Sequence, residues 1–288
     1  MLKKKLFNKS CEVEESKSEL LDLSFQNCAP QDVSKYFPNL PQPTMNPVTV
    51  AMLGIQQKLS DKLSQINFIN SPIRYVYDPT QYAKIPNELY YKKYCQSVKQ
   101  VLFVGMNPGP FGMCQTGIPF GDTNRVKHWL QIEGVVFKPE VECPNRPVQG
   151  FDCPQKEQSG DRFWKFWADQ CGTAEKFFEQ AFVYNYCPLA FMDAAGRNVT
   201  PADLKDCKEL EAICDQYYID IINVLQPKIV VAIGRYIQRR SELALKTASI
   251  NIPIYYLPHP SPRSVNNHNW PEKANAFLEA NNLKRFFQ

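Results

Sequence analysis

The fold is best indicated by Val101-Leu-Phe-Val-Gly105-Met-Asn-Pro-Gly-Pro-Phe-Gly112, where an apolar run turns abruptly into a chain rich in glycine and proline. Consecutive apolar residues from Val101 to Val104 are typical of a buried strand in a parallel sheet. Glycine allows close approach and unusual backbone angles, whereas proline fixes φ and removes an amide donor. The pattern therefore predicts a strand that opens into a rigid loop, which continues to Asp122.

Two further apolar runs end in a similar way. The run from Phe182 places Asn185 near the end of a strand, and the run from Ile254 leads into Pro258-His-Pro-Ser-Pro-Arg263. In open α/β sheets, ligands bind beyond the carboxyl ends of the strands. We therefore expect the polar residues of these strand ends to lie at one edge of a sheet, together with Asn107.

The rest of the chain alternates helical and extended patterns. Apolar residues recur at helical spacing from Pro47 to Ile66, and Lys228-Ile-Val-Val-Ala-Ile-Gly234 is typical of a central parallel strand. Thr200-Pro-Ala-Asp203 has the residues of a helix start and predicts a long helix as far as about Leu225.

These elements predict an α/β fold with one domain over residues 46–288. Its core is a four-stranded parallel sheet flanked by helices on both faces. Residues 1–45 show little periodicity and are expected to form a disordered or loosely docked tail. No stretch approaches the length of an apolar membrane span, so we expect a soluble intracellular protein with no membrane partner.

Charge and cysteine content limit the possible partners. The net charge of +4 is too mild to predict a nucleic-acid partner by itself. Ten cysteines occur without a Cys-x-x-Cys pair, so we expect reduced thiols and no metal or other cofactor. Local basic residues could form a phosphate-tracking rim if the fold gathers them around one cleft. They are Arg197, Lys205, Lys208, Arg235, Arg239, Arg240 and Arg263.

Four blocks, taken in order, resemble the uracil-DNA glycosylase superfamily and, within it, the single-strand-selective monofunctional branch. The blocks are Gly105-Met-Asn-Pro-Gly-Pro-Phe-Gly-Met113 with Gln115-Thr-Gly and Pro119-Phe-Gly121, then Asn185-Tyr-Cys-Pro-Leu189, Gly196-Arg-Asn-Val-Thr-Pro201 and His259-Pro-Ser-Pro-Arg263. The resemblance implies a uracil-DNA glycosylase-like fold. It also implies an enzyme that flips out uracil, or an oxidised relative such as 5-hydroxymethyluracil, and hydrolyses its N-glycosidic bond. The product would be an abasic site, formed without lyase activity.

The resemblance also implies roles for single residues. Asn107 would orient the attacking water, and His259 would donate a hydrogen bond to the pyrimidine O2 as charge accumulates there. Asn185 would read the uracil edge, because its amide can donate to O4 and accept from N3–H, and Phe120 would stack on the base. The expected substrate-binding residues are Met106, Gly109, Met113, Phe120 and Asn185.

The DNA-inserting surface is expected on the loop of Arg263 and on the segment from Ala195 to Glu209. Arg263 would fill the space that the flipped base leaves. The expected DNA-binding residues are Gly196, Arg197, Asn198, Ser261, Pro262 and Arg263. After Arg263 the chain departs from the family pattern, since Ser264-Val-Asn-Asn-His268 lacks the usual proline.

Three other functions are compatible with parts of this pattern. A superfamily relative acting on mismatched thymine or hypoxanthine is disfavoured by the Gly-Met-Asn-Pro-Gly loop with His259. A non-catalytic DNA-lesion binding protein is disfavoured by the presence of both Asn107 and His259. A dinucleotide-dependent oxidoreductase lacks Gly-x-Gly-x-x-Gly at the required place. The resemblance therefore favours a uracil-DNA glycosylase over these alternatives and implies single- and double-stranded DNA containing uracil as its partner. We expect a monomer, and we expect it in the nucleus because the presumed substrate lies there.

Overall fold

The apolar run Val101–Gly105 forms a fully buried strand at the centre of a parallel sheet. The computed structural model describes residues 45–68, 71–204, 207–264 and 267–287. In it, Val101–Gly105 pairs in parallel with Ala181–Asn185 on one side and with Ile229–Ile233 on the other. Ile254–Leu257 adds the fourth strand. The predicted α/β fold is confirmed, with a four-stranded parallel sheet flanked by helices.

Numbered in chain order, the strands of the described residues are β1 (Tyr75–Tyr77), β2 (Val101–Gly105), β3 (Ala181–Asn185), β4 (Ala190–Met192), β5 (Asn198–Val199), β6 (Ile229–Ile233) and β7 (Ile254–Leu257). The helices are α1 (Pro47–Leu63), α2 (Pro79–Tyr82), α3 (Lys84–Tyr94), α4 (Met113–Thr116), α5 (Thr123–His128), α6 (Gln158–Cys171), α7 (Ala174–Gln180), α8 (Lys208–Leu225), α9 (Arg235–Thr247) and α10 (Trp270–Ala280).

The strand order β3-β2-β6-β7 fixes where the strand ends meet. The register pairs Gly105 with Asn185, so the last residues of β2 and β3 are neighbours. A second, antiparallel sheet of order β1-β4-β5 was not expected. Its strands have two or three residues, which is too short for an alternating pattern to appear in the sequence.

Helix α6 packs an aromatic cluster into the core. Phe163, Trp164, Phe166 and Trp167 are all buried. These four aromatic residues therefore belong to the core and do not form an exposed stacking platform. Because Trp167 also contacts the Phe103 ring of β2 at 5.1 Å between centroids, α6 is fixed against the central strand.

The long helix predicted from Thr200 is wrong at its start. Thr200 and Asp203 do form a capping box, but it closes a single 3-10 turn, Pro201–Asp203. The backbone is extended at Leu204, and α8 begins only at Lys208. Residues with the chemistry of a helix cap therefore stabilise an isolated turn here, because the chain leaves the helical region one residue later.

The predicted tail, residues 1–45, lies outside the described residues apart from Met45, and its boundary stays a prediction. Val265 and Asn266, within the segment that departs from the family pattern, also lie outside them. In the described part of the chain, no helix combines the length and apolar character needed to cross a bilayer.

Candidate active site

The carboxyl edge of the parallel sheet brings Asn185, Phe120 and His259 together around the end of β2. A Cβ atom at Gly105 would lie closer than 3.0 Å to Asn185 Oδ1 and 3.0 Å from the Phe120 ring. The ring centroids of Phe120 and His259 are 5.9 Å apart. Only glycine permits so close an approach, so Gly105 makes room for the site's own side chains.

Phe120 is held in a backbone conformation that bulky residues rarely adopt. Its φ is +55°, and its ring stacks on Phe163 with centroids 4.7 Å apart and planes 19° apart. A Cβ atom at Gly160 would lie closer than 3.0 Å to the Phe120 carbonyl, so α6 supports the backbone as well as the ring. Such strained positions persist only when their surroundings enforce them, and they cluster at functional sites.

Asn185 is a buried amide with 5% of its surface exposed. Its Nδ2 lies 3.2 Å from Met113 Sδ, a weak acceptor, while its Oδ1 faces Gly105. The next residue, Tyr186, donates its backbone amide to the Gly105 carbonyl at 2.9 Å, which continues the β2–β3 pairing beyond the strands. The structure therefore places Met113 and Asn185 side by side.

Asn107 lies where the loops that follow β2 and β3 meet. Its Nδ2 donates to the Leu189 carbonyl at 3.2 Å, and Cys187 donates its amide to the Met106 carbonyl at 2.9 Å. With Nδ2 bound to Leu189, Oδ1 is the side-chain atom that can accept a hydrogen bond from a water molecule. The side chain is half-buried, so it remains open to solvent.

His259 is fixed in one tautomer by its own loop. Its Nδ1 accepts the Ser261 backbone amide at 3.1 Å, so the proton of the neutral ring lies on Nε2. Asn267, which is buried, donates to the His259 and Ser261 carbonyls at 2.9 and 2.8 Å. Trp270 Nε1 donates to the Pro258 carbonyl at 2.7 Å. Sequence reasoning missed both Asn267 and Trp270, since neither belongs to a motif.

Burial lowers the pKa of His259 from its usual 6.5 to about 4. The residue as a whole is half-buried, and protein surrounds most of it. The imidazole is therefore neutral at physiological pH. It can donate a hydrogen bond from Nε2, but it carries no positive charge.

Gly109 lies against Glu157, a residue that the sequence did not single out. A Cβ atom at Gly109 would meet Glu157 Oε2 at 2.6 Å, and one at Gly112 would meet Glu157 Cγ at 2.8 Å. Both glycines therefore make room for the Glu157 side chain, and the expected contact of Gly109 with substrate stays a prediction. Burial raises the pKa of Glu157, and the nearby Asp122 carboxylate raises it further.

Gly196, Arg197 and Asn198 lie on the hairpin that joins β4 to β5. Gly196 has a φ of +74°, and its amide donates to the Asp193 carbonyl at 3.0 Å. Arg197 is 81% exposed, and its Nε pairs with Asp193 Oδ2 at 2.6 Å. Among the described residues, no hydrogen bond links this hairpin to the His259 loop.

Ser261, Pro262 and Arg263 follow His259 directly. Ser261 Oγ accepts the Arg263 amide at 3.2 Å, and the Arg263 side chain is exposed. The expected DNA-binding residues thus fall on two separate loops, the β4–β5 hairpin and the loop after β7.

The predicted phosphate rim is wrong at Arg240. Its guanidinium pairs with Glu211 at 3.0 Å and with Asp215, and only 15% of the side chain is exposed. Arg235 is different, since it lies over the Tyr256 ring at 3.7 Å. Lys205 lies outside the described residues. Arg240 therefore holds α9 against α8 and does not face a cleft.

No group of three histidine, cysteine, aspartate or glutamate side chains is placed to hold a metal ion in the part of the chain that the structure describes. The cysteines in that part are free thiols.

Comparison with known proteins decides the family. Residues 92–283 match the model of the uracil DNA glycosylase superfamily. The chain belongs to this superfamily. A Rattus norvegicus protein named single-strand selective monofunctional uracil-DNA glycosylase is 43% identical over 83% of this chain and 87% of its own length. The Mus musculus protein of the same name is 42% identical over 83% of this chain and 86% of its own.

A solved structure supports the fold. The crystal structure of Pedobacter heparinus SMUG2 superposes with a TM-score of 0.55 over 81% of this chain and 98% of that chain, at 19% identity. At this level of identity the likeness concerns the fold alone.

Proposed function

We propose that this protein removes uracil from DNA by hydrolysing its N-glycosidic bond, leaving an abasic site for base-excision repair. The superfamily assignment and relatives that are named uracil-DNA glycosylases support this function. The observation that carries it is the gathering of Asn185 and Phe120 around Gly105, with His259 beside the Phe120 ring and Asn107 in the adjoining loop. In this arrangement Asn185 can form hydrogen bonds with the edge of a planar base, Phe120 can stack on it, and the neutral His259 can donate a hydrogen bond to it.

Recognition of the flipped base is assigned to Asn185 and Phe120. Uracil presents an acceptor at O4 and a donor at N3, and a side-chain amide can match both. Cytosine presents the opposite pattern, so the amide must be held in one orientation. The Phe120 ring, supported from behind by Phe163, offers an apolar face for stacking.

Cleavage is assigned to His259 and Asn107. The electron pair of the C1′–N1 bond departs with uracil, and the sugar becomes oxocarbenium-like. The Nε2–H of neutral His259 donates to O2, where negative charge accumulates. Asn107 Oδ1 holds a water molecule that adds to C1′; its oxygen joins the sugar and its proton passes to solvent. An amide is a weak base, so Asn107 acts by positioning.

The proposal also covers the substrate range, the absence of lyase activity, the DNA partner, the oligomeric state and the location of the enzyme. We assign the enzyme 5-hydroxymethyluracil and related oxidised uracils as further substrates, no lyase activity, and both single- and double-stranded DNA as partners. It acts as a monomer, without metal or nucleotide cofactor, in the nucleus, where uracil in chromosomal DNA is found.

Excision assays test the proposal directly. The protein is incubated with single-stranded and duplex oligonucleotides that carry uracil, 5-hydroxymethyluracil, mismatched thymine or hypoxanthine, and half of each sample is then treated with alkali. We expect strand breaks at uracil and 5-hydroxymethyluracil only after alkali treatment. We expect the same breaks when a chelator is present during the incubation. Breaks without alkali would refute the absence of lyase activity. Preferred excision of thymine or hypoxanthine would favour a different substrate class, and binding without excision would favour a lesion-binding protein.

A further inference from the structure

The segment Cys143–Pro147 lies between the glycine-rich loop and the β4–β5 hairpin. Asn145 Nδ2 donates to the Ala195 carbonyl of the hairpin at 3.2 Å. On the other side, Gln115 Nε2 donates to the Pro147 carbonyl at 3.2 Å and to the Pro110 carbonyl at 2.9 Å. The segment thus joins the loop that carries Asn107 to the hairpin that is expected to meet DNA.

Its backbone is held rigidly. Tyr77 Oη donates to the Arg146 carbonyl at 2.9 Å and accepts the Cys143 amide at 2.7 Å. The Arg146 amide donates to the Cys143 carbonyl at 2.9 Å, which closes a turn. A Cβ atom at Gly196 would meet Asn145 Cβ at 2.8 Å, so the hairpin packs tightly against this turn. Arg146 is therefore presented from a fixed point.

The side chain of Arg146 spans the junction. Its Cγ would lie 3.7 Å from a Cβ atom at Gly196, and its guanidinium carbon lies 5.1 Å from the centre of the Phe111 ring. Phe111 belongs to the glycine-rich loop, four residues after Asn107. The arginine thus reaches from the hairpin to the glycine-rich loop that carries Asn107.

The charge of Arg146 is not neutralised within the described residues. It has no ion pair there, whereas the neighbouring Arg197 is paired with Asp193. Its Nη1 reaches only the Asn145 carbonyl, at 3.4 Å, and its Nε is buried without a hydrogen-bond partner. A guanidinium that lies over an aromatic ring keeps its terminal Nη–H groups available for a phosphate.

We propose that Arg146 binds a backbone phosphate of the DNA strand beside the extruded nucleotide. The proposal rests on the proposed function for the identity of the ligand as DNA. An unpaired cation held rigidly between two DNA-facing loops would fix the strand with respect to the uracil pocket. It supplies the contact that Arg240, buried in its ion pairs, does not.

The experiment compares Arg146→Gln with the matched control Arg285→Gln. Arg285 also stacks on a phenylalanine, Phe286 at 4.9 Å, but lies in the C-terminal turn. The two substitutions remove the same charge. Binding of a fluorescent, uracil-free single strand is measured by anisotropy over a range of salt concentrations, and KM and kcat for uracil excision are measured in parallel.

We expect Arg146→Gln to make the dependence of log K on log salt shallower by about 0.7, which is the effect of one lost phosphate contact on a single strand. KM should rise by roughly threefold to tenfold with little change in kcat, since the contact is made equally before and during bond cleavage. Arg146→Lys should retain the salt dependence, because it keeps the charge. Arg285→Gln should behave like the wild type.

An unchanged salt dependence and KM in Arg146→Gln would overturn the proposal. Equal effects of Arg146→Gln and Arg285→Gln would also overturn it, since net charge alone would then explain them. A fall in kcat that Arg146→Lys does not rescue would assign Arg146 to loop packing instead. Failure of the wild type to excise uracil would refute the proposed function, but the anisotropy would still report the phosphate contact.

Discussion

At the residue scale, Asn107 and His259 are each oriented by a single backbone partner. Asn107 Nδ2 donates a hydrogen bond to the Leu189 carbonyl, and His259 Nδ1 accepts one from the Ser261 backbone amide. Each bond leaves one defined atom for the reaction, an acceptor on Asn107 and a donor on His259. The proposed roles, with Asn107 holding the water and His259 facing the leaving group, rest on these two bonds.

Asn107→Ala should lower the single-turnover rate of uracil excision by about 10²-fold or more, because the attacking water loses its anchor. Binding of uracil-containing DNA should change little, since Asn107 is assigned no contact with the base. The measurement is excision by excess enzyme, combined with anisotropy of the same oligonucleotide. Retained turnover would remove Asn107 from the mechanism, and a matching loss of affinity would make it a binding residue.

The His259 ring should titrate near pH 4, with Nδ1 unprotonated above that pH. The chain has three histidines, and His128 and His268 are exposed, so nitrogen-detected NMR can separate the buried ring. Protonation of His259 should therefore cause no loss of activity from pH 8 down to about pH 5. A ring that titrates near 6.5, or one protonated on Nδ1, would contradict the proposed donor.

The same shift predicts the direction of a stability change. The folded-state pKa is below the unfolded value, so the unfolded chain binds more protons between about pH 4 and pH 6.5. The contribution of His259 to stability is thus fully present above pH 6.5 and is lost as pH falls toward 4. His259→Gln should reduce this part of the acid destabilisation, measured as the free energy of unfolding in urea at pH 7 and pH 4.5.

At the element scale, α6 acts as the support of the pocket. Phe163 holds the Phe120 ring, and Gly160 lets the helix reach the Phe120 carbonyl. Aromatic residues at helical spacing usually form core, and Phe163 follows this pattern. The sequence did not predict the contact with Phe120, because residues about forty positions apart give no local signal of their packing.

Gly160→Ala should destabilise the protein by about 1–3 kcal/mol, because the new methyl group meets backbone that cannot rotate away. It should also lower excision, since Phe120 must move. The matched control is Gly54→Ala in α1, where a Cβ atom meets nothing within 4 Å. A better helix former there should stabilise the protein by about 0.5–1 kcal/mol. Urea unfolding of both variants measures this, and equal stabilities would contradict the tight packing.

Several elements were predictable, and others were not, for physical reasons. The four parallel strands carry strong apolar runs, and three of them end in polar residues within rigid loops. Thr200 shows why the start of α8 could not be predicted, because the same capping residues can stabilise a single turn or a helix. Arg240 is a second example, since its carboxylate partners lie 25 and 29 residues away and only the packing of α9 on α8 brings them together.

At the scale of the whole molecule, the parallel sheet assembles residues from distant parts of the chain. Because β2 lies between β3 and β6, the ends of β2 and β3 are adjacent, and β7 delivers His259 to the same edge. The motifs predicted the proposed reacting groups but not the residues that pack around their loops. The contacts of Glu157, Asn267 and Arg146 could not be predicted from the sequence, because they depend on how the loops pack against one another.

The most direct test of the site is a crystal structure of the Asn107→Ala variant bound to a single-stranded oligonucleotide containing one uracil. We predict an extruded uracil stacked on Phe120, with O2 within hydrogen-bonding distance of His259 Nε2 and with Asn185 on its N3–O4 edge. A base bound elsewhere, or a pocket in which His259 and residue 107 face different surfaces, would contradict the assignment.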